Sequence, residues 1–285
     1  MKDSITYNEV SIQRILNPTS IDLGEYVINP YMGCELGCLY CYVRSNRVVS
    51  KKTAPWGSYV DIRINAPTLL EKEISKKKPH TVLLGSTTEC FQPIEKKYGI
   101  TKEILEILNK NKVYYVFLTR SPFIQEYISL LTQGFCKMIY FTCNNINHSI
   151  KARLEPHSAP FEKRITAINN LLDNNIPVTP YFSPIIPWVS QTDNFFSQFP
   201  KAYSIEFEGL NFRLGNIQQI IDSICSEHPH LKEKYTKLVS ERKYYNHYWT
   251  FIKKEIIKQA IQVKKNYNVY IHKFGTYFEN TYTKG

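Results

Sequence analysis

The sequence predicts an α/β fold, a partial (β/α)6 barrel with a C-terminal helical extension. Six short runs rich in Val, Ile, Leu, Tyr and Phe recur between residues 26 and 207. The stretches between them repeat apolar residues at helical spacing, the signature of βα units around a parallel sheet. The chain's 285 residues also accommodate the ~250 that an α/β barrel occupies.

The expected strands are Tyr26–Asn29, Thr81–Ser86, Val113–Thr119, Met138–Cys143, Val178–Phe182 and Tyr203–Phe207. Their β-branched and aromatic content suits strands covered on both faces. Helices are expected over Ala66–Lys77, Thr101–Asn111, Pro122–Gln133, Phe161–Asn174 and Asp193–Gln198. Thr101 can cap the second of these, and Glu103 suits its first turn. In the fourth, Ile165, Ile168, Leu171 and Leu172 fall on one helical face. Beyond Gly209 the pattern becomes helical, over Ile217–Cys225 and a long amphipathic run from Tyr248 to Lys265, with a short last strand at Val269–His272. The expected division is therefore a barrel with an N-terminal extension over residues 1–210 and a helical extension over 211–285.

A hydrophobic fraction of 43% supports a real core, and 11 Gly and 15 scattered Pro do not suggest disorder. No run approaches the ~18 apolar residues of a membrane span, and the first residues lack a signal peptide's apolar stretch. No membrane association and a cytoplasmic location are expected. The formal charge of +11 is compatible with a nucleic-acid partner, and equally with a Lys-rich solvated surface.

Three of the seven cysteines lie within eight residues, in Asn29-Pro-Tyr-Met-Gly-Cys34-Glu-Leu-Gly-Cys38-Leu-Tyr-Cys41-Tyr42, directly after the first strand. A disulfide framework favours even counts in short secreted chains. Structural zinc takes four ligands, usually in two pairs, and no His or Cys pair elsewhere supplies the missing half, the nearest being His228-Pro-His230 in an expected loop. Most 4Fe–4S clusters take four Cys, so three thiolates on one short loop leave one iron open for a further ligand.

The spacing and the aromatic Tyr40 before the last cysteine resemble the cysteine loop of the radical S-adenosylmethionine (SAM) superfamily. The flanking words resemble its spore photoproduct lyase-like, or DNA-repair photolyase-like, group. Further blocks agree in order: Thr87-Thr-Glu-Cys-Phe-Gln-Pro-Ile-Glu95, Leu154-Glu-Pro156 followed by Arg164, and Ser183-Pro-Ile-Ile-Pro187. Leu36 stands where the group commonly has His, and Glu89-Cys90 replaces Asp-Pro. Residues 43–78 contain no cysteine, so the hydrogen-donor cysteine that spore photoproduct lyase carries after the cluster has no counterpart there. The resemblance implies a 4Fe–4S cluster on Cys34, Cys38 and Cys41, with SAM chelated at the open iron. It implies reductive cleavage of SAM to a 5′-deoxyadenosyl radical that abstracts hydrogen, with an electron donor of the flavodoxin or ferredoxin type.

Barrel chemistry collects at the C-terminal ends of strands, which selects the remaining candidates. In the superfamily that the chain resembles, the end of the second strand helps hold the SAM amino group, which implies Glu89 for that role, with a structural ion pair as the alternative. Asn144, Arg153 and Glu155 could reach the ribose or carboxylate, Arg153 through its bidentate fork unless it is a surface charge. Tyr40 lies beside the last cysteine, and Ile186 would offer an apolar face to adenine. Cys90 and Cys143 could donate hydrogen as thiols, although buried inert cysteine is commoner; Cys136 and Cys225 read as core residues. Lys pairs such as Lys51-Lys52 could attract phosphates, and Trp56, Tyr59, Tyr244, Tyr245, Tyr248 and Trp249 could stack on bases. Tyr245, Tyr248, Trp249 and Ile252 also recur at helical spacing, as a packed terminal helix would. The expected substrate is DNA or RNA. The alternatives are radical modification of a peptide or small metabolite, and an iron–sulfur or zinc nucleic-acid-binding protein without turnover.

Overall fold

The computed structural model describes residues 5–46, 49 and 52–275, so Lys51 lies outside the described residues. The chain divides into two compact units, residues 1–37, 51–142 and 157–179 in the first and residues 38–50, 143–156 and 180–285 in the second.

In the first unit, β1 (Thr6–Val10), β4 (Tyr31–Gly33) and β5 (Tyr59–Arg63) form a small sheet with β5 in the centre, parallel to β1 and antiparallel to β4. The larger sheet starts with β2 (Asn17–Pro18), antiparallel to β3 (Tyr26–Ile28). It continues in parallel through β6 (Thr81–Leu84), β7 (Tyr114–Thr119) and β8 (Cys136–Thr142). Val82, Leu83, Leu84, Phe117, Ile139 and Phe141 are fully buried, which explains why these strands read as near-continuous apolar runs.

Helix α1 (Ala66–Lys77) has Pro67 in its first turn and ends at Lys78 in the left-handed region, consistent with how helices start and stop. After the short α2 (Glu95–Tyr98), left-handed Gly99 leads into α3 (Ile100–Lys110), whose Ile100, Ile104, Leu105 and Leu108 are buried. Gly99, not Thr101, is the residue before that helix; the Thr101 hydroxyl instead donates to the Cys90 carbonyl at 2.8 Å. The helix expected over Pro122–Gln133 is a 3-10 segment, Pro122–Tyr127, followed by one α turn, α4 (Ile128–Leu131). α5 (His148–Leu154) belongs to the second unit and α6 (Phe161–Asp173) to the first.

In the second unit, β10 (Ser204–Gly209) pairs in parallel with β9 (Val178–Ile185), whose first two residues belong to the first unit, and with β11 (Asn266–Tyr270). α7 (Ile217–Cys225), α8 (Lys232–Ser240) and α9 (Arg242–Gln262) make up the helical extension. Residues 193–198 do not form the expected helix; only the turn Phe196–Gln198 is helical. Phe195, Phe196 and Phe199 are buried instead, and Phe195 packs edge-on to Phe182 at 4.7 Å between centroids. Cys136 is buried as expected, whereas Cys225 is only partly so.

The fold is thus α/β of the partial-barrel type expected, with parallel strands β3, β6, β7 and β8 in the first unit, β9, β10 and β11 in the second, and a helical extension in the second. No helix among the described residues is long and apolar enough to cross a membrane.

Candidate active site

Each of the three loop cysteines opens a tight turn. The amide of Gly37 donates to the Cys34 carbonyl, that of Cys41 to Cys38, and that of Arg44 to Cys41, at 3.2–3.3 Å. Cys34 and Cys38 are buried and Cys41 partly so. Gly33 (φ +91°) and Gly37 (φ +60°) supply backbone conformations that side chains disfavour. A Cβ on Gly33 would also meet the Tyr59 carbonyl oxygen at 2.3 Å, so the loop is built around its absence.

Among the described residues no three His, Cys, Asp or Glu side chains come close enough together to hold a single metal ion. A cubane cluster asks for something else, thiolates set apart on separate irons. Three thiols on successive turns of one glycine-shaped loop fit that group.

In the first unit, residues of the Thr87–Glu95 block brace this loop. Thr88 donates to the Gly33 carbonyl at 2.6 Å, and the Gln92 amide donates to the Thr88 hydroxyl. The Glu35 amide in turn donates to the Gln92 side-chain oxygen at 2.9 Å. The buried Glu35 carboxylate accepts from the Ile94 amide at 2.6 Å and the Tyr7 hydroxyl at 3.0 Å. Burial pushes the Glu35 carboxyl up, with those hydrogen bonds opposing.

Glu89 is buried and accepts from the Phe91 amide, the Thr119 hydroxyl and the Arg120 amide at 2.7–3.0 Å. It therefore ties the end of β6 to the end of β7, while burial raises its carboxyl above the usual range. Glu95, also raised by burial, receives the Tyr31 and Tyr127 hydroxyls and the Thr101 and Lys102 amides. Cys90 is fully buried, and burial, followed by the charges of Glu89 and Glu95, holds it as a neutral thiol.

In the second unit, the structure brings two predicted residues together: the Tyr40 hydroxyl donates to the fully buried Glu155 carboxylate. Between Cys38 and Cys41, the Leu39 amide donates to the Leu154 carbonyl at 2.9 Å, and its carbonyl accepts from the Asn216 side chain at 2.7 Å. Asn144 and Cys143 are buried, the latter's amide donating to the Tyr181 carbonyl at 2.8 Å. Ile186 is buried and its amide donates to the Ser190 hydroxyl.

Arg153 spends its guanidinium on Glu227, at 2.7 and 3.0 Å, on the half-exposed face of α5. Exposed pairs of this kind contribute about 0–1 kcal/mol. Arg153→Ala is therefore expected to change the melting temperature by no more than a few degrees, checked by thermal unfolding.

Sequence reasoning missed Glu35, whose only signal is its place between two cysteines, and Tyr7, which has none. It also missed Glu208, which receives the Tyr181 hydroxyl at 2.8 Å, the Ser183 hydroxyl at 2.6 Å and His272 Nε2 at 3.0 Å. Among the proposed stacking aromatics, Tyr59, Tyr245 and Trp249 are buried and unavailable to a base. Trp249 packs at Gly209, and Tyr245 packs edge-on to Phe212, as a terminal helix seated on a core requires.

Comparison with known proteins agrees with this geometry. The family model of the Radical SAM superfamily matches residues 28–193. An uncharacterised protein of Methanocaldococcus jannaschii is 31% identical over 215 residues, covering 74% of this chain and 80% of the relative. A spore photoproduct lyase double mutant with bound AdoMet and dinucleoside spore photoproduct superposes with a TM-score of 0.60 at 15% identity, over 94% of this chain and 82% of that one. Streptococcus suis SuiB matches with a TM-score of 0.51 at 12% identity, over 86% of this chain and 48% of its own. These structural likenesses speak to fold. Family match, relative and cysteine loop converge: the chain belongs to the radical SAM superfamily, enzymes whose cofactors are a 4Fe–4S cluster and SAM.

Proposed function

We propose that Cys34, Cys38 and Cys41 ligate the cluster and that the enzyme directs its radical chemistry at nucleic acid, as a lyase-type repair or base-modifying activity. The observation that carries the ligand assignment is the loop itself, three cysteines opening three successive turns between Gly33 and Arg44. When bound, cluster and SAM supply an organic radical that removes hydrogen from a substrate carbon.

This chain's residues hold the parts in place. The Tyr40–Glu155 bond and the Leu39 clamp fix the segment between Cys38 and Cys41. Asn144 serves the SAM ribose, Ile186 faces adenine, Glu155 holds Tyr40, and Glu89 ties together the ends of β6 and β7. Cys90 and Cys143, both fully buried, are the hydrogen-donor candidates; for Cys90 the neutral thiol is the form that can give a hydrogen atom. A flavodoxin- or ferredoxin-type protein supplies the electron.

The net charge of +11 and the fold shared with a lyase solved with a dinucleoside photoproduct support a nucleic-acid substrate. A reacting base has to leave its stack to reach such a site. A peptide substrate is the second reading, favoured by the likeness to SuiB, which is also solved with a precursor peptide.

The test is to incubate the reconstituted enzyme with SAM, dithionite and deuterated oligothymidylate, then to measure deuterium in the 5′-deoxyadenosine formed. Deuterium transfer is expected. SAM cleavage at a rate indifferent to nucleic acid, with no deuterium in the product, would contradict the substrate assignment.

A further inference from the structure

The strands of the second unit have two unlike faces. Phe182 and Phe207 point to one, stacked with ring centroids 5.8 Å apart and covered by Phe195 and Phe196. The other face is polar. Register pairs Glu206 with Tyr181 and Glu208 with Tyr270, and side chains alternate along a strand. Tyr181, Ser183, Glu208 and Tyr270 therefore share this face, and His272 follows two residues after Tyr270. A polar face on inner strands is costly unless each group is paired, and here the pairing is complete around one carboxylate.

Glu208 accepts three hydrogen bonds, from Tyr181, Ser183 and His272. Burial pushes its carboxyl up, but these bonds outweigh burial and hold it below the ordinary value. A charged carboxylate 3.0 Å from Nε2 fixes that nitrogen as the proton carrier. The opposite nitrogen, Nδ1, has no hydrogen-bond partner among the described residues. It is an acceptor in the neutral ring and a donor in the imidazolium.

The His272 ring stands edge-on to Tyr270 at 4.9 Å, and Tyr270 is 56% exposed. The His272 backbone is held as well, its carbonyl accepting from Tyr245 at 2.7 Å.

We propose that His272 and Tyr270 form a nucleobase-binding site, with Glu208 as the residue that positions His272. His272 Nδ1 meets the N–H and carbonyl edge of a planar base, and Tyr270 offers its ring for stacking. Acting through His272, Glu208 fixes the tautomer and orientation of the ring and does not itself touch the base. The proposal rests on the reading that the substrate is nucleic acid.

It is tested by fluorescence anisotropy with a short labelled oligothymidylate and an abasic oligomer of equal length. His272→Ala and Glu208→Gln are each expected to weaken oligothymidylate binding roughly 5- to 10-fold, the worth of one directed hydrogen bond. Binding of the abasic oligomer should be unchanged, a contrast that a merely structural role would not produce. His272→Gln, which keeps a donor and an acceptor, should recover part of the loss. Should His272→Ala fail to fold, Tyr270→Ala, at a half-exposed position, is expected to show the same selective loss. Variants that bind oligothymidylate as tightly as the native enzyme overturn the site and leave the nucleic-acid reading standing. A native enzyme that binds neither oligomer overturns both.

Discussion

Cys38→Ala is expected to abolish cluster uptake while leaving the fold intact. Cys38 sits in the middle of the loop, buried, with its carbonyl closing the turn to Cys41. Alanine keeps that backbone bond and removes only the sulfur, a change of about 1 kcal/mol, typical of point substitutions. With two thiolates left of three, the cluster loses the ligand between its neighbours. Iron analysis after anaerobic reconstitution should fall to less than about one tenth of the native content, with an unchanged far-ultraviolet spectrum. Native iron content in the variant would remove Cys38 from the ligand set.

Gly33→Ala is expected to have the largest effect on stability. At φ +91° any side chain is strained, and the new Cβ would lie 2.3 Å from the Tyr59 carbonyl oxygen. That oxygen belongs to β5, which pairs with β4 up to Gly33 and with β1 from Tyr59 onward, so relief requires moving backbone. Strain and overpacking together come to about 2–5 kcal/mol. The measurement is denaturant unfolding of the protein, followed by reconstitution to see whether the displaced loop still takes up iron. A loss below about 1 kcal/mol would show that the strands yield more easily than their pairing indicates.

The parallel strands were legible because burial on both faces writes an apolar run into the sequence, as in Thr81–Leu84 and Tyr114–Thr119. The helices α1 and α7 were legible to the residue, over Ala66–Lys77 and Ile217–Cys225. The N-terminal strand β1 was not, since Thr6–Glu9 is exposed and polar and its pairing with Tyr59–Ile62 lies some fifty residues away. Residues 193–198 misled because Phe195 and Phe196, with Phe199 just beyond them, fall within one helical face and so mimic an amphipathic turn.

The cysteine loop stood out because its chemistry is local: spacing, glycines and aromatic neighbour occupy fourteen consecutive residues. Its supports are not local. Glu35 depends on Tyr7 and Ile94; away from the loop, Glu208 likewise depends on the distant Tyr181, Ser183 and His272. A lone Glu in a strand looks like surface charge until its donors are seen. Arg153 shows the converse, since a plausible carboxylate fork turned out to be engaged by Glu227.

The most direct test of the central claim is SAM cleavage by the native protein. After anaerobic reconstitution with iron and sulfide, dithionite and SAM are added and 5′-deoxyadenosine is measured, with Cys38→Ala in parallel. The account predicts 5′-deoxyadenosine from the native protein and none above background from the variant. Stoichiometric zinc with no iron uptake, or equal product from both proteins, would contradict it.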